Sequence, residues 1–404
     1  MENSLSKYFV GVGAKRLRLV EINPKKSNQH EINGKSVFHE FLGYERSKFT
    51  GKFIYLNDNE DEARENVVSF TWYDTREKVE HRGPEWRLYY ETNDAIKASA
   101  IGDLLIIGKT TQNEIIAIIA QKDSTAEKQL MWLFDLDDVE TKFIYKDFTQ
   151  ETARLGFAEK YIISSLGIEV EEEAPDYLEE MLRIFNGKFP STKEFSEYAR
   201  KTVKNVSAVD SPDETLISWM DREMLLFKTM ESVEVKKKLV EGFGDDGQDV
   251  DAFIKYSLGI QNRRKARAGA AFENHLAAIF SLNQIKFSNG KITERNNKPD
   301  FIFPGIDNYR DASFDVDLLT MLGLKTTAKD RWRQVLPEAD RLHLKHLITL
   351  EPSISQNQTR EMIEKNLQLI IPKPLFSTYN SIQQRSLINL SDFIGVVKMK
   401  QNLL

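Results

Sequence analysis

The chain has 404 residues, enough for two domains, and 41% of them are hydrophobic, which excludes global disorder. It has no cysteine, so disulfides, thiolate zinc sites and a cysteine nucleophile are excluded, and a reducing compartment fits. The net charge of −6 does not advertise nucleic acid, but acidic blocks such as Glu169 to Glu173 depress it while basic clusters stand at Arg263 to Arg267 and Lys329 to Arg333. No apolar run approaches the roughly 18 residues of a membrane span. Met1 to Lys7 is polar and lacks a signal-peptide core. A cytoplasmic protein with no membrane partner is the expectation.

Residues 1 to about 165 read as mostly β. Tyr8-Phe9-Val10, Phe53-Ile54-Tyr55, Val67 to Trp72, Leu104 to Ile107 and Glu114 to Ala120 are short apolar or alternating runs separated by turn residues. Such strands suggest a barrel or sandwich. Two polar segments lie between them, Lys25 to Glu31 and Arg76 to Arg87. Both mix the residue types that read base edges and grip phosphates. Two solvated hairpin loops are the plainer reading.

Ile168 to Asp176 looks like an acidic linker, with self-repelling charges and Pro175 stopping regular structure. Helical spacing begins at Tyr177, with Met181, Leu182 and Phe185 on one face. A second helix is expected after Ser211-Pro212-Asp213-Glu214, where Ser211 and Glu214 have capping-box spacing and Pro212 takes the first helical position. Its apolar face is Leu216, Ile217, Met220, Met224 and Phe227, with Trp219 and Arg222 expected on another face. Arg263 to Ile279 reads as a third helix with Phe272, Leu276 and Ile279 buried and Glu273 at the edge of that stripe. After Asp300 the order is strand, loop, strand ending at Lys325, helix begun by Thr327 as N-cap, then strands at Leu347 to Leu350 and Leu367 to Pro372. Strands alternating with helices imply an α/β sandwich with a mixed sheet.

The chemistry concentrates between Lys298 and Leu350. Asp300 opens Phe301-Ile302-Phe303, and Lys325 closes Met321-Leu322-Gly323-Leu324. A charge on a buried strand is costly unless it is paired or holds a metal. Two carboxylates and a lysine can hold Mg²⁺ and a water beside a phosphate. Glu338, thirteen residues after Lys325, could supply the second carboxylate from the next helix. Hard oxygen ligands with no cysteine favour Mg²⁺ over zinc.

Pro299-Asp300 followed by an apolar-x-lysine strand is the skeleton of the PD-(D/E)XK nucleases. The acid normally two residues before the lysine is replaced by Gly323. With the carboxylate displaced to Glu338 and Lys329-Asp330-Arg331-Trp332-Arg333 between, the chain resembles the EcoRII-like type II restriction endonucleases. The match is dense from Asn262 to about Leu350, including Asn262-Arg263-Arg264-Lys265 and Arg267-Ala268-Gly269.

That resemblance implies a restriction-endonuclease-like α/β/α catalytic and dimerisation domain at 177–404, joined through a linker at 168–176 to a mainly β, B3-like pseudobarrel domain at 1–167 that binds a second copy of the target as an effector or extends recognition. It implies Asp300 and Glu338 as Mg²⁺ ligands, Lys325 as the catalytic lysine, and Glu273 as a further active-site carboxylate on its helix. Lys329, Asp330 and Arg331 would read CC/GG half-sites. Arg263, Arg264, Lys265 and Arg267 would contact phosphates. In the two polar segments, Lys26, Asn28, Gln29, His30, Arg76, Lys78, His81, Arg82, Trp86 and Arg87 would be the effector domain's DNA contacts, and Trp219 and Arg222 a pocket for a flipped base. The implied partners are double-stranded DNA, a second copy of the chain and, functionally, a cognate DNA methyltransferase. The rival readings are a non-catalytic DNA-binding regulator and a structure-specific repair nuclease.

Overall fold

The computed structural model describes residues 4–22, 30–33, 36–59, 64–78, 81–170, 175–244, 247–329 and 331–403. Lys26, Asn28, Gln29 and Asp330 lie outside the described residues. The chain divides into two compact units, 1–170 with 352–358, and 171–351 with 359–404. No described helix is long and apolar enough to cross a membrane.

The first unit is built on β1 (Phe9–Arg16), β2 (Glu31–Asn33), β3 (Ser47–Leu56), β4 (Arg64–Asp74), β5 (Trp86–Tyr90), β6 (Leu104–Thr110), β7 (Ile115–Ala120) and β8 (Ile144–Asp147). They form one sheet in the order β2-β5-β4-β3-β7-β6-β1-β8. Neighbours are antiparallel except β3 and β7, which are parallel. No pairing joins the end strands β2 and β8 among the described residues. The unbroken apolar run of β7 follows from burial on both faces. Its Ile116, Ile118 and Ala120 join one core cluster, and Ile115, Ala117 and Ile119 the other, as side-chain alternation requires. β5 arises inside the polar segment Arg76 to Arg87, which therefore holds a strand end as well as a loop.

The second unit opens with helices α1 (Pro175–Ile184), α2 (Thr192–Thr202), α3 (Pro212–Glu241) and α4 (Val250–Leu282). Pro175 begins α1 rather than ending structure before it, since the first helical turn needs no N–H from proline. The capping box expected at Ser211 does not form: Ser211 Oγ bonds the carbonyl of Ser207. Buried Asp213 instead accepts amides from Lys373, Leu390 and Ser391. α4 starts thirteen residues before the expected Arg263, because Asp249 caps it by accepting from Ala252 N.

The second sheet runs β13-β12-β11-β10-β9, from β9 (Ser288–Asn289), β10 (Phe301–Phe303), β11 (Thr320–Lys325), β12 (Lys345–Thr349) and β13 (Leu367–Ile370). β10 is antiparallel to β9 and β11, while β11, β12 and β13 are parallel, so the sheet is mixed as expected. The helix expected between Lys325 and β12 is a short 3-10 turn at Arg331–Val335. Left-handed backbone at Lys329 (φ 24°) and Ala339 (φ 49°), with no donor at Pro337, leaves no room for a regular α-helix there.

Candidate active site

Asp300 precedes β10 and faces the neighbouring strand, where its Oδ2 accepts from the backbone N–H of Leu324 at 2.6 Å. The antiparallel register of Phe301 with Leu322 brings it beside the end of β11 and its terminal Lys325. Phe280 of α4 packs edge-on against Phe301 and Phe303, with ring centres 5.2 Å apart in each case. Seven residues earlier on the same helix is Glu273, two turns along that face. This is how a helix that reads mainly as core delivers a carboxylate whose charge is felt at Asp300.

Gly323 explains why the usual acid is missing from β11. A Cβ there would lie 2.8 Å from Val335 Cγ1 and 2.9 Å from Cγ2. Val335 is fully buried and closes the 3-10 turn. It fills the space a carboxylate stem at 323 would need, and three residues later the chain presents Glu338. That turn is pinned from both sides. Asn297 Nδ2 donates to Pro337 O at 2.7 Å, and Lys345 Nζ donates to Leu336 O at 2.8 Å. Tyr309 Oη donates its one proton to the Glu294 carboxylate, whose oxygens lie 2.8 and 2.7 Å away, and Glu294 also accepts from Asp340 N.

Asp300 and Glu338 repel each other in a poorly solvated place. Burial pushes Asp300 up to about 6, against the pull of Lys325 and the Leu324 amide. Burial and then the charge of Asp300 push Glu338 up to about 7, against Lys325 and Lys345. Glu338 is 9% exposed, and its Oε2 is buried without a hydrogen bond. A divalent cation would relieve both the repulsion and the unbonded oxygen, so the donor set fits a hard metal. Among the described residues no group of three His, Cys, Asp or Glu side chains gathers to hold a metal. The fit therefore rests on two carboxylates, with water and phosphate oxygens completing the shell.

The structure thus brings Asp300, Lys325, Glu338 and Glu273 into one electrostatic neighbourhood. Lys329 is half-buried and Arg331 exposed, beyond the end of β11. Three of the four basic residues in the Arg263 to Arg267 cluster of α4 already have partners within their unit. Arg263 pairs with Glu234 at 2.8 Å, Arg264 with buried Glu231 at 2.6 Å, and Arg267 donates to Pro190 O at 2.6 Å. Lys265 is exposed. Trp219 is buried, with its ring 5.5 Å from that of His275 and Arg200 over it, so as folded it is occupied. Arg222 lies over Tyr177.

In the first unit Arg76 pairs with Glu85, and Arg87 with Glu31 and Glu85. Trp86 stacks on Trp72 at 5.2 Å, and His30 bonds Thr92 Oγ1. Lys78, His81 and Arg82 are exposed.

Residues 227–394 match the family described as "EcoRII C terminal". Over 210 residues, 52% of this chain, the sequence is 41% identical to the type II restriction enzyme EcoRII of Escherichia coli. The segment 227–394 is similar to that family. It contains Glu273, Asp300, Lys325 and Glu338. The chain spans 50% of the length of that curated relative. Looser likenesses of fold are to metal-depleted Ecl18kI in complex with uncleaved, modified DNA (16% identity, 57% of this chain and 86% of that one, TM-score 0.45) and to a restriction endonuclease PspGI–substrate DNA complex (14%, 54% and 95%, TM-score 0.43).

Proposed function

We propose that this protein is a Mg²⁺-dependent type II restriction endonuclease that cuts double-stranded DNA at a short palindrome with CC/GG half-sites. The observation that carries the reading is the under-compensated pair Asp300 and Glu338 beside Lys325, within a segment similar to the EcoRII C-terminal family.

Asp300 and Glu338 would hold the cation, which when bound lowers the pKa of water and neutralises phosphate oxygens. Lys325 orients the attacking water and offsets charge growing on phosphorus. Water oxygen bonds to phosphorus and the P–O3′ bond breaks. The water gives up a proton and the 3′ oxygen gains one, leaving a 5′-phosphate and a 3′-hydroxyl. Glu273 adds negative charge near Asp300 and strengthens the call for a cation.

Lys329, Asp330 and Arg331 would read the half-site, since arginine or lysine pairs with guanine and aspartate accepts from the cytosine amino group. Two copies of the chain would cut the two strands, because a palindrome matches a two-fold dimer. Lys265, with the paired arginines of α4, would meet phosphates. The first unit, as a B3-like domain, would bind a further DNA copy through its two polar segments. A reducing cytoplasm and a cognate methyltransferase complete the setting of such an enzyme.

The test is digestion of a multi-site plasmid with Mg²⁺, mapping of the ends, and repetition on DNA with one site. Discrete cuts at CC/GG-type sites support the reading. Slow cutting of the single-site DNA supports an effector role for the first unit. Sequence-specific binding with no cutting overturns the catalytic reading.

A further inference from the structure

Glu351 is fully buried just past the end of β12, yet no part of the chemistry above uses it. Its Oε2 accepts the backbone N–H of Ala328 at 2.5 Å and of Lys329 at 2.9 Å. Its own backbone is held on both sides: its N–H donates to Thr349 Oγ1 at 3.2 Å, and its carbonyl accepts from Tyr379 Oη at 2.6 Å. Thr349 pairs in register with Lys325. The carboxylate is therefore fixed to the sheet one strand away from the lysine, and it grips the chain three and four residues beyond that lysine.

The gripped turn needs a grip. Lys329 has φ 24°, in the region where side chains with a Cβ are disfavoured. Beyond it the chain turns into the 3-10 segment through Trp332 N–H donating to Ala328 O. Arg331 Nη1 leans back to Thr327 Oγ1 at 3.4 Å. A buried carboxylate that takes two backbone N–H groups is a costly group to place, and its stable use is to hold those two amides in one orientation.

We infer that Glu351 is a positioning residue for sequence reading: by fixing the amides of Ala328 and Lys329 it sets the direction in which Lys329 and Arg331 meet DNA, in rigid register with Lys325. The inference rests on the proposed nuclease reading. A base contact depends on placement to a fraction of an ångström, whereas Asp300 and Glu338 are held by other anchors. Loosening the turn should therefore cost recognition before it costs the chemical step.

The experiment uses the full chain and the site that the wild-type protein is first shown to cut, together with the same duplex altered at one half-site base pair. Glu351→Met keeps the length but offers the two amides no acceptor, whereas glutamine would keep one oxygen able to take both as Oε2 does. Glu351→Asp keeps the charge but withdraws it by one methylene. The expected result for Glu351→Met is a tenfold or greater rise in KM on the intact site, kcat within about threefold of wild type, and at least a tenfold fall in the preference for the intact over the altered duplex. Glu351→Asp should lie between it and wild type. Wild-type discrimination in Glu351→Met, or an equal loss of kcat on both duplexes, overturns the inference. If Glu351→Met does not fold, Glu351→Asp decides by the same readouts; if neither folds, Glu351 is a folding residue and the inference falls. A wild-type protein that cuts nothing instead overturns the nuclease reading.

Discussion

Around β2, β4 and β5 of the first unit, Arg87 sits between Glu31 at 2.6 Å and Glu85 at 2.7 Å, Glu85 also takes Arg76, and Tyr73 Oη bonds Glu31. The Arg87 hydrogen bond holds Glu85 below the usual carboxylate range. At the ends of β10 and β11 in the second unit, Asp300 and Glu338 are pushed upward by burial, and Glu338 Oε2 has no hydrogen bond. Both regions are rich in charge. In the first, arginines meet the carboxylates at hydrogen-bond distance; in the second, burial and the mutual repulsion of the two acids outweigh the nearby lysines. The lesson is that charge density says little about a site, whereas unrelieved charge in a dry place says a great deal.

The sharpest way to break this contrast is to remove one of the unrelieved carboxylates. Asp300→Ala should lower DNA cutting by roughly a thousandfold or more, as expected when a group acts directly in the reaction. Binding to the same duplex without divalent metal should stay within a few-fold, because Asp300 faces Leu324 N rather than a base-reading side chain. Plasmid cutting and a mobility-shift titration measure the two. Cutting at the wild-type rate would remove Asp300 from the site.

A milder perturbation is pH. Asp300 near 6 and Glu338 near 7 must both lose protons to hold a cation, so cutting at fixed Mg²⁺ should climb steeply from about pH 5.5 to 7.5. Stability should move the opposite way. The folded protein keeps protons on these groups that the unfolded chain has already lost. The pair's cost is absent below the ordinary carboxylate range and grows as pH rises toward 7. Metal-free melting temperature should therefore fall across that window by more in wild type than in Asp300→Asn, and added Mg²⁺ should raise it most at the upper end. Parallel curves for the two proteins would mean that the fold does not raise the Asp300 carboxyl.

Much of the second unit was legible in the residues. The strand runs around Gly323 and the core stripe of Phe272, Leu276 and Ile279 announced a mixed sheet packed on a helix, and the structure places the two expected strand charges, Asp300 and Lys325, at the ends of adjacent strands. The turn after Lys325 was not legible. Lys329 to Val335 has helix-forming composition, and what interrupts the helix is left-handed backbone at Lys329 and Ala339, with the amides of Ala328 and Lys329 held by Glu351, about twenty residues away. Glu351 carried no local signal beyond being an acid after an apolar strand. In the first unit the polar segments were visible as polar, but Arg76, Glu85, Arg87 and Glu31 satisfy one another across strands, and sequence spacing does not reveal that pairing.

Gly323 sharpens the comparison in a smaller way, since it tests why the carboxylate is displaced. Gly323→Ala puts a Cβ against both methyls of fully buried Val335, and overpacking of that kind costs about 1–3 kcal/mol. Chemical denaturation should report a loss of that size. The double variant Gly323→Glu with Glu338→Gln should remain inactive, because a carboxylate at 323 has no space on the site side. Restored cutting would show that the turn can move aside.

The smallest effects belong to the first unit, where paired and unpaired cations should part company. Arg87→Ala leaves Glu85 with Arg76 and Glu31 with Tyr73, and should cost about 1–2 kcal/mol of stability, within the usual range for a single substitution that removes a partner. Lys78 and Arg82 are exposed and should leave the melting temperature unchanged when replaced by Ala. If either meets a phosphate, its loss reduces the slope of log affinity against log salt by about one, uniformly across DNA sequences. The two readouts are independent. A salt slope that shifts with Arg87→Ala, and not with Lys78→Ala or Arg82→Ala, would mean that the ion-paired strand surface opens to grip DNA, and that pairing within the fold does not distinguish structural charge from functional charge in this unit.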